Sequence, residues 1–188
     1  MLAVLDACVL YPPSLRDLLL TLSALDAFDA RWSEEILEEL VRTVLAKNPD
    51  IERVRFEQHT VAAMRRHFPN AVVPVDPALV ATLDNHPKDR HVAAAAIAAG
   101  ATTIVTLNVK DFRGRALADA GVEVVTPGDL VSRLLDDIPE SVVLAVQQIS
   151  ARWRNPLRSA HEVASTLEAH PSMGPPMRRV AELLPAGR

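Results

Sequence analysis

The sequence is poor in cysteine, aromatic residues and long apolar runs, and each shortage excludes a class of protein. Its one cysteine, Cys8, cannot form an internal disulfide or a zinc site built on several thiolates. Aromatic residues make up 4% of the 188 residues, which disfavours a nucleic-acid binder built on rows of stacking rings. No apolar run approaches the roughly 18 residues of a membrane span, and the N-terminus lacks a basic signal-peptide region. We therefore expect a cytoplasmic protein with no membrane association.

Positive charge is scarce too. The net charge is −4, which argues against non-specific binding of polyanions by a basic surface. The charge is uneven, because residues 139–188 carry six basic and four acidic side chains whereas residues 1–138 carry 14 basic and 20 acidic ones. Hydrophobic residues make up 49%, which is typical of a folded chain. Any nucleic acid would be held mainly through its phosphates.

Short apolar runs alternate with helical patterns. The run "MLAVL" has no polar alternation, as in a central strand of a parallel sheet, and "TTIVTL" at 102–107 is rich in β-branched residues. A short strand "VEVV" follows. Apolar periodicity or capping signals predict helices at residues 14–28, 51–67, 89–99 and 113–120. They also predict three helices that begin at residues 34, 77 and 127. This alternation predicts an α/β fold with three α/β/α layers around a central parallel sheet.

The pattern becomes purely helical from Pro139 onwards. Residues 139–153 and 159–170 have helical periodicity, the second beginning at a capping box from Ser159 to Glu162, and a short helical segment lies near 176–184. We predict two parts, an α/β domain at 1–135 and a C-terminal helical extension at 139–188.

Acidic and amide side chains occur where the predicted strands end. Asp6 follows the first strand, and Asn108 and Asp111 follow the second. Ligands of parallel sheets bind beyond the carboxyl ends of the strands. Asp89 opens the alanine-rich helix, and Glu39 lies on the helix from 34. Carboxylates that converge repel one another unless cations lie between them, so this pattern predicts a Mg²⁺ or Mn²⁺ site that binds a phosphate and activates a water.

Four stretches, in this order, resemble PIN-domain ribonucleases of the VapC toxin type. They are "LDACVLYP", "WSEEILEELVRTVL", "DRHVAAAAIAAGATTIVTLNVKDF" and "VEVVTPGDL". The resemblance covers about residues 1–135. It implies a metal-dependent endoribonuclease for single-stranded RNA, an antitoxin partner and often a dimer.

Carried over position by position, the resemblance implies catalytic and metal-binding roles for four acids and a supporting role for a hydroxyl residue. Asp6, Glu39, Asp89 and Asp111 match the family's acids, and Thr106 matches its small hydroxyl residue. Asn108 departs from the family, since many relatives have an aspartate there. An amide can still bind a metal through its oxygen but removes a charge, which weakens a second metal position. Asn108 and Asp111 would complete the site.

Structural roles compete with the functional ones. Asp6 or Asp89 could simply cap a helix. Glu39 is favoured over Glu38 by helical phase, and Asp111 could only orient a neighbour.

Neighbouring residues also have two interpretations. Cys8 is expected to be a small buried residue beside the site. Arg90 could contact a phosphate or pair with an acid. His86 and His91 have poor spacing for a zinc site. The arginines of the extension could contact RNA or form a solvated face, which is favoured; they are Arg152, Arg154 and Arg158.

Two other functions stay open at this stage. Asn108 allows a catalytically weakened module that binds RNA or an antitoxin. Phosphoryl transfer through an aspartyl-phosphate at Asp6 is disfavoured, because Cys8 stands where the second acid of that mechanism would be.

Overall fold

The computed structural model describes residues 1–154 and 156–185. Within them, a five-stranded sheet has the strand order β3-β2-β1-β4-β5. The strands are β1 (Leu2–Leu5), β2 (Asp29–Ser33), β3 (Val72–Val73), β4 (Thr103–Val105) and β5 (Glu123–Val125). β1 is central and pairs in parallel with both β2 and β4, and β2 pairs in parallel with β3.

Twelve α-helices connect or follow these strands in the described residues. They are α1 (Ala7–Leu10), α2 (Pro13–Ala24), α3 (Glu34–Lys47), α4 (Arg53–Phe56), α5 (Ala62–His67), α6 (Pro77–Thr82), α7 (Arg90–Ala99), α8 (Arg115–Asp119), α9 (Pro127–Asp137), α10 (Pro139–Arg152), α11 (Ala160–Glu168) and α12 (Gly174–Leu183). A π-helical turn lies at Glu57–Val61, and 3₁₀ turns lie at Pro87–Asp89 and Val109–Phe112. None of the described helices is long and apolar enough to span a membrane.

The chain divides into two compact units. We call Met1–Tyr11 with Asp29–Val124 the sheet unit, and Pro12–Phe28 with Val125–Arg188 the helical unit. The helical unit therefore takes α2 from the N-terminal part of the sequence. The domains predicted from the sequence, 1–135 and 139–188, have different bounds from these two units, and they stay a prediction.

The sheet unit is built around the buried strand β1. Ala3, Val4 and Leu5 are fully buried, as the unbroken apolar run predicts. Helix α7 packs against β1, β2, β3 and β4, and its residues 92–96 have no exposed surface. Four of those five residues are alanines, and their small side chains let the helix lie close to the strands.

The helical unit buries the leucine-rich face of α2. Leu15, Leu18, Leu19 and Leu22 are fully buried, and α2 packs against α10 and α11. Helix α12 packs against α9 and α11. The width of the apolar face of α2 is thus explained by two neighbouring helices of the same chain.

The predicted α/β class with a central parallel sheet is confirmed. The helix starts predicted at 34, 77 and 127 are confirmed, since the side chains of Ser33, Asp76 and Thr126 cap these helices, and Gly100 closes α7 with φ of 63°. Two strands were missed: β2 is partly charged and β3 has two residues, so neither gives a strong pattern. The helix predicted at 51–67 is observed as α4 and α5 joined by the π-helical turn.

Candidate active site at the carboxyl end of the sheet

Asp6 lies directly after β1, at the carboxyl end of the sheet. Its backbone N–H donates to the carbonyl of Val105 at 3.1 Å, which continues the pairing between β1 and β4. Its Oδ1 accepts from the backbone N–H of Cys8 at 3.5 Å, so Asp6 does cap the short helix α1. Yet the residue is only 2% exposed, and a simple cap on a four-residue helix does not need such burial.

The second oxygen of Asp6 is held from two sides. Thr106 Oγ1 donates to Oδ2 at 2.6 Å, and Cys8 Sγ donates to the same oxygen at 3.1 Å. Thr106 has no exposed surface. The hydroxyl and the thiol lie 3.4 Å apart. Burial, followed by the charge of Asp6, raises the pKa of the Cys8 thiol to about 12, so the thiol is protonated at neutral pH and is an inert donor.

Glu39 projects from α3 and meets His91 of α7. Glu39 Oε2 lies 2.9 Å from His91 Nε2, and the Glu39 side chain is 35% exposed whereas Glu38 is exposed. Burial lowers the pKa of His91, but Glu39, Glu35 and Asp6 together outweigh it, so the pKa stands above its ordinary value. Glu39, and not Glu38, therefore lies on the face of α3 that is directed towards α7.

Asp89 stands at the N-cap position of α7 but its side chain caps nothing in the structure. Its Oδ2 lies 3.4 Å from His86 Nδ1. Burial raises the pKa of Asp89, and the carboxylates of Asp6, Asp111 and Glu39 raise it further against the opposing effect of His86. The structure therefore does not show the helix-capping role that was the alternative to a functional role for Asp89. Carboxylates from three other segments thus act on Asp89.

The turn after β4 carries Asn108 and Asp111. Asn108 is exposed, and its backbone N–H donates to Thr106 Oγ1 at 3.0 Å. Asp111 is half-buried, and its carbonyl accepts from the N–H of His86 at 3.0 Å, which ties this turn to the segment of Asp89. Arg90 donates to the carbonyl of Asn85 at 3.2 Å, so it supports the same segment.

The site supplies carboxylate oxygens that could bind a metal ion, but they do not form a complete set of metal ligands. In the described part of the chain, no three His, Cys, Asp or Glu residues form a group compact enough to hold a metal ion. Carboxylates whose charges raise the pKa of Asp89 nevertheless favour a cation beside it. The donor set of carboxylate oxygens suits Mg²⁺ or Mn²⁺ and disfavours softer metals.

Two comparisons with known proteins bear on this geometry. Residues 127–171 match the family described as the VapC50 C-terminal domain. A protein of Mycobacterium tuberculosis (strain ATCC 25618 / H37Rv), named "Putative ribonuclease VapC50", is 33% identical over 110 residues. The resemblance to VapC-type ribonucleases is confirmed. The matched region covers 58% of this chain and 63% of that relative, which is less than two thirds of its length. No solved structure matches the chain.

The VapC-type resemblance named the acids but not the side chains that hold them. Sequence reasoning placed Cys8 beside the site without its bond to Asp6, and it left His91 without a role. A signal for Cys8 exists in its position two residues after the acid, on the first turn of α1. The partner of Glu39 comes from a different helix, so no local pattern points to it.

The arginines of the predicted extension have partners within the helical unit. Arg152 Nη2 lies 2.7 Å from Asp17 Oδ1, and it also donates to Thr21. Arg158 lies over the ring of Trp153, 4.2 Å from its centroid. These contacts agree with the solvated-face interpretation of Arg152 and Arg158.

Proposed function

We propose that the protein is a metal-dependent endoribonuclease that cleaves single-stranded RNA and is the toxin of a toxin-antitoxin pair. The observation that carries the proposal is the cluster of carboxylates at the carboxyl end of the sheet, three of which raise the pKa of the fourth, Asp89. Its members are Asp6, Glu39, Asp89 and Asp111. The similarity to a protein named as a ribonuclease supports the same reaction class.

Asp6 and Asp89 are the residues best suited to hold the ion, with Glu39 and Asp111 beside them. Proteins bind Mg²⁺ through one or two carboxylates together with waters and substrate phosphates, so a compact group of three protein ligands is not required. Oδ1 of Asp6 accepts one long hydrogen bond, and the carboxylate of Asp89 makes no capping hydrogen bond to α7. When bound, the ion would polarise the phosphodiester and lower the pKa of an attacking water.

The remaining residues of the site fix the donors. Thr106 and Cys8 hold one oxygen of Asp6, and His91 Nε2 lies 2.9 Å from Glu39 Oε2. Asn108 has no charge, so it would contribute at most a neutral amide oxygen to a ligand. This charge count supports one tightly held ion and a second that arrives with the RNA.

The partners follow from the same proposal. Single-stranded RNA is the substrate and a cognate antitoxin protein is the inhibitor, as the VapC name of the relative suggests. A homodimer is also proposed, on the family resemblance alone.

Cleavage of a labelled single-stranded RNA by the purified chain tests the proposal. We expect cleavage with Mg²⁺ or Mn²⁺, none with a chelator, and little on a duplex of the same sequence. Asp6→Asn should retain the fold and lose about a hundredfold or more in rate, because several kcal/mol of charge stabilisation depend on the ion. Undiminished cleavage by Asp6→Asn would refute the assignment. Mapping of cleavage ends in cellular RNA after induced expression would then identify the target.

A second function has its own support. Asn108 is neutral, and no compact metal group forms among the described residues, which favours a catalytically weakened module that binds RNA or an antitoxin. Calorimetric titration with Mn²⁺ separates the two. Absence of binding at millimolar metal, with RNA binding retained, would favour the module.

A further inference from the structure

Two hydrogen-bond chains converge on one oxygen of Asp6. In the first, the backbone N–H of Leu107 donates to Cys8 Sγ at 3.2 Å, and the thiol donates to Oδ2. In the second, the N–H of Asn108 donates to Thr106 Oγ1, and the hydroxyl donates to the same Oδ2. Both chains begin at consecutive amides of the turn after β4 and end at the acid after β1.

This network treats the two carboxylate oxygens differently. Among the described residues, Oδ2 accepts bonds at 2.6 Å and 3.1 Å from side chains, whereas Oδ1 accepts one long bond of 3.5 Å from the backbone of Cys8. A carboxylate oxygen has two lone pairs, and both lone pairs of Oδ2 are used. An incoming cation would therefore find its free lone pair on Oδ1.

We infer that Cys8 is a positioning residue which, together with Thr106, holds Oδ2 of Asp6 and reserves Oδ1 for the ligand. The inference rests on the proposed function, since the ligand in question is the divalent ion. Each side chain is oriented by the amide that donates to it, so its one proton is directed to the carboxylate. The rotation of Asp6 about its last bond is fixed from both sides before any ion binds.

Substitutions separate the donor from mere packing. Cys8→Ala removes the donor to Oδ2 and the acceptor for the N–H of Leu107, whereas Cys8→Ser keeps a donor and an acceptor of smaller size. Thr106→Val removes the opposite donor with little change in shape. Thr103→Val is the matched control, because Thr103 is also buried and, among the described residues, its hydroxyl lies within hydrogen-bond distance of the Thr102 hydroxyl, at 3.5 Å, and not of Asp6.

The test is the affinity of the metal-free full chain for Mn²⁺, measured by calorimetry, with thermal melting as the check of folding. Loss of a residue that orients a metal ligand typically costs about 10- to 100-fold in metal affinity. We expect that loss for Cys8→Ala and for Thr106→Val, while Cys8→Ser and Thr103→Val bind close to wild type.

The outcomes distinguish this inference from the proposed function. Wild-type affinity in Cys8→Ala or Thr106→Val, whichever of the two folds, overturns the positioning role and leaves the nuclease proposal standing. Equal losses in Cys8→Ser and Cys8→Ala also overturn it, because the donor would then not matter. Failure of the wild-type chain both to bind Mn²⁺ and to cleave RNA overturns the two together.

Discussion

The paired carboxylates of the helical unit and the carboxylates at the carboxyl end of the sheet are held in different ways. In the helical unit, acids pair with arginines: Asp17 with Arg152 at 2.7 Å, Asp136 with Arg179 at 2.7 Å, and Glu168 with Arg178 at 2.8 Å. At the carboxyl end of the sheet, the side-chain contacts of the acids are a hydroxyl, a thiol and histidines, and other acids act on Asp89 through their charges.

This difference separates acids that support the fold from acids kept for a ligand. An exposed ion pair contributes little to stability, but it also leaves no excess charge. The sheet unit instead holds a half-buried Asp89 whose ionisation is opposed by its surroundings. Such an arrangement costs stability in the metal-free protein, and perturbed acids of this kind concentrate at functional sites.

Substitution of one acid from each unit should give opposite results, and this is the largest effect we expect. Asp89→Asn removes a charge that its neighbours oppose, so the metal-free protein should melt at a higher temperature at neutral pH. The same variant should lose about a hundredfold or more of its cleavage rate. Asp17→Asn should leave cleavage unchanged and lose less than about 1 kcal/mol of stability with its ion pair. Melting curves in chelator and cleavage assays with Mn²⁺ measure both.

The comparison fails if both substitutions act alike. A lower melting temperature in Asp89→Asn would show that this carboxylate supports the fold as Asp17 does. Unchanged cleavage in Asp89→Asn would remove it from the site.

Local signals predicted most of the elements that present the site. The unbroken apolar run of β1 placed Asp6 at a strand end, and the caps Ser33 and Gly100 set the ends of α3 and α7. These features depend on a few neighbouring residues. The position of each candidate acid along its element was therefore readable from the sequence.

Contacts between segments that are distant along the chain could not be predicted from the sequence. The hydrogen bonds from Thr106 and Cys8 to Asp6 depend on the pairing of β1 with β4. Neither segment by itself indicates that these two strands pair. The same holds for Glu39 with His91, and for α2, whose neighbours α10 and α11 lie more than a hundred residues further along the chain. A single sequence does not specify which apolar faces meet.

The helical unit should be sensitive to packing where the sheet unit is sensitive to charge. A Cβ added at Gly128 on α9 would lie 2.0 Å from the carbonyl oxygen of Ser172, a backbone atom that has little freedom to move. Gly128→Ala should therefore lose about 1–3 kcal/mol, the usual cost of overpacking. At Gly174 the nearest atom is the flexible end of Arg178, 3.2 Å away, so Gly174→Ala is the matched control and should be nearly neutral. Equal stability of the two variants in urea titrations would contradict this.

The smallest effect concerns pH and again separates the two units. Burial lowers the pKa of His170, whose Nε2 lies 2.6 Å from Ser14 Oγ within the helical unit. The folded chain thus binds this proton less readily than the unfolded chain, whose histidine titrates near 6.5. The stabilisation is complete above that pH and is lost as the pH falls through 6.5 towards the lower folded value. Between pH 7.5 and 5.5, melting of the wild type should therefore fall more steeply than that of His170→Gln. Parallel curves would show that His170 does not contribute to the pH response of the helical unit.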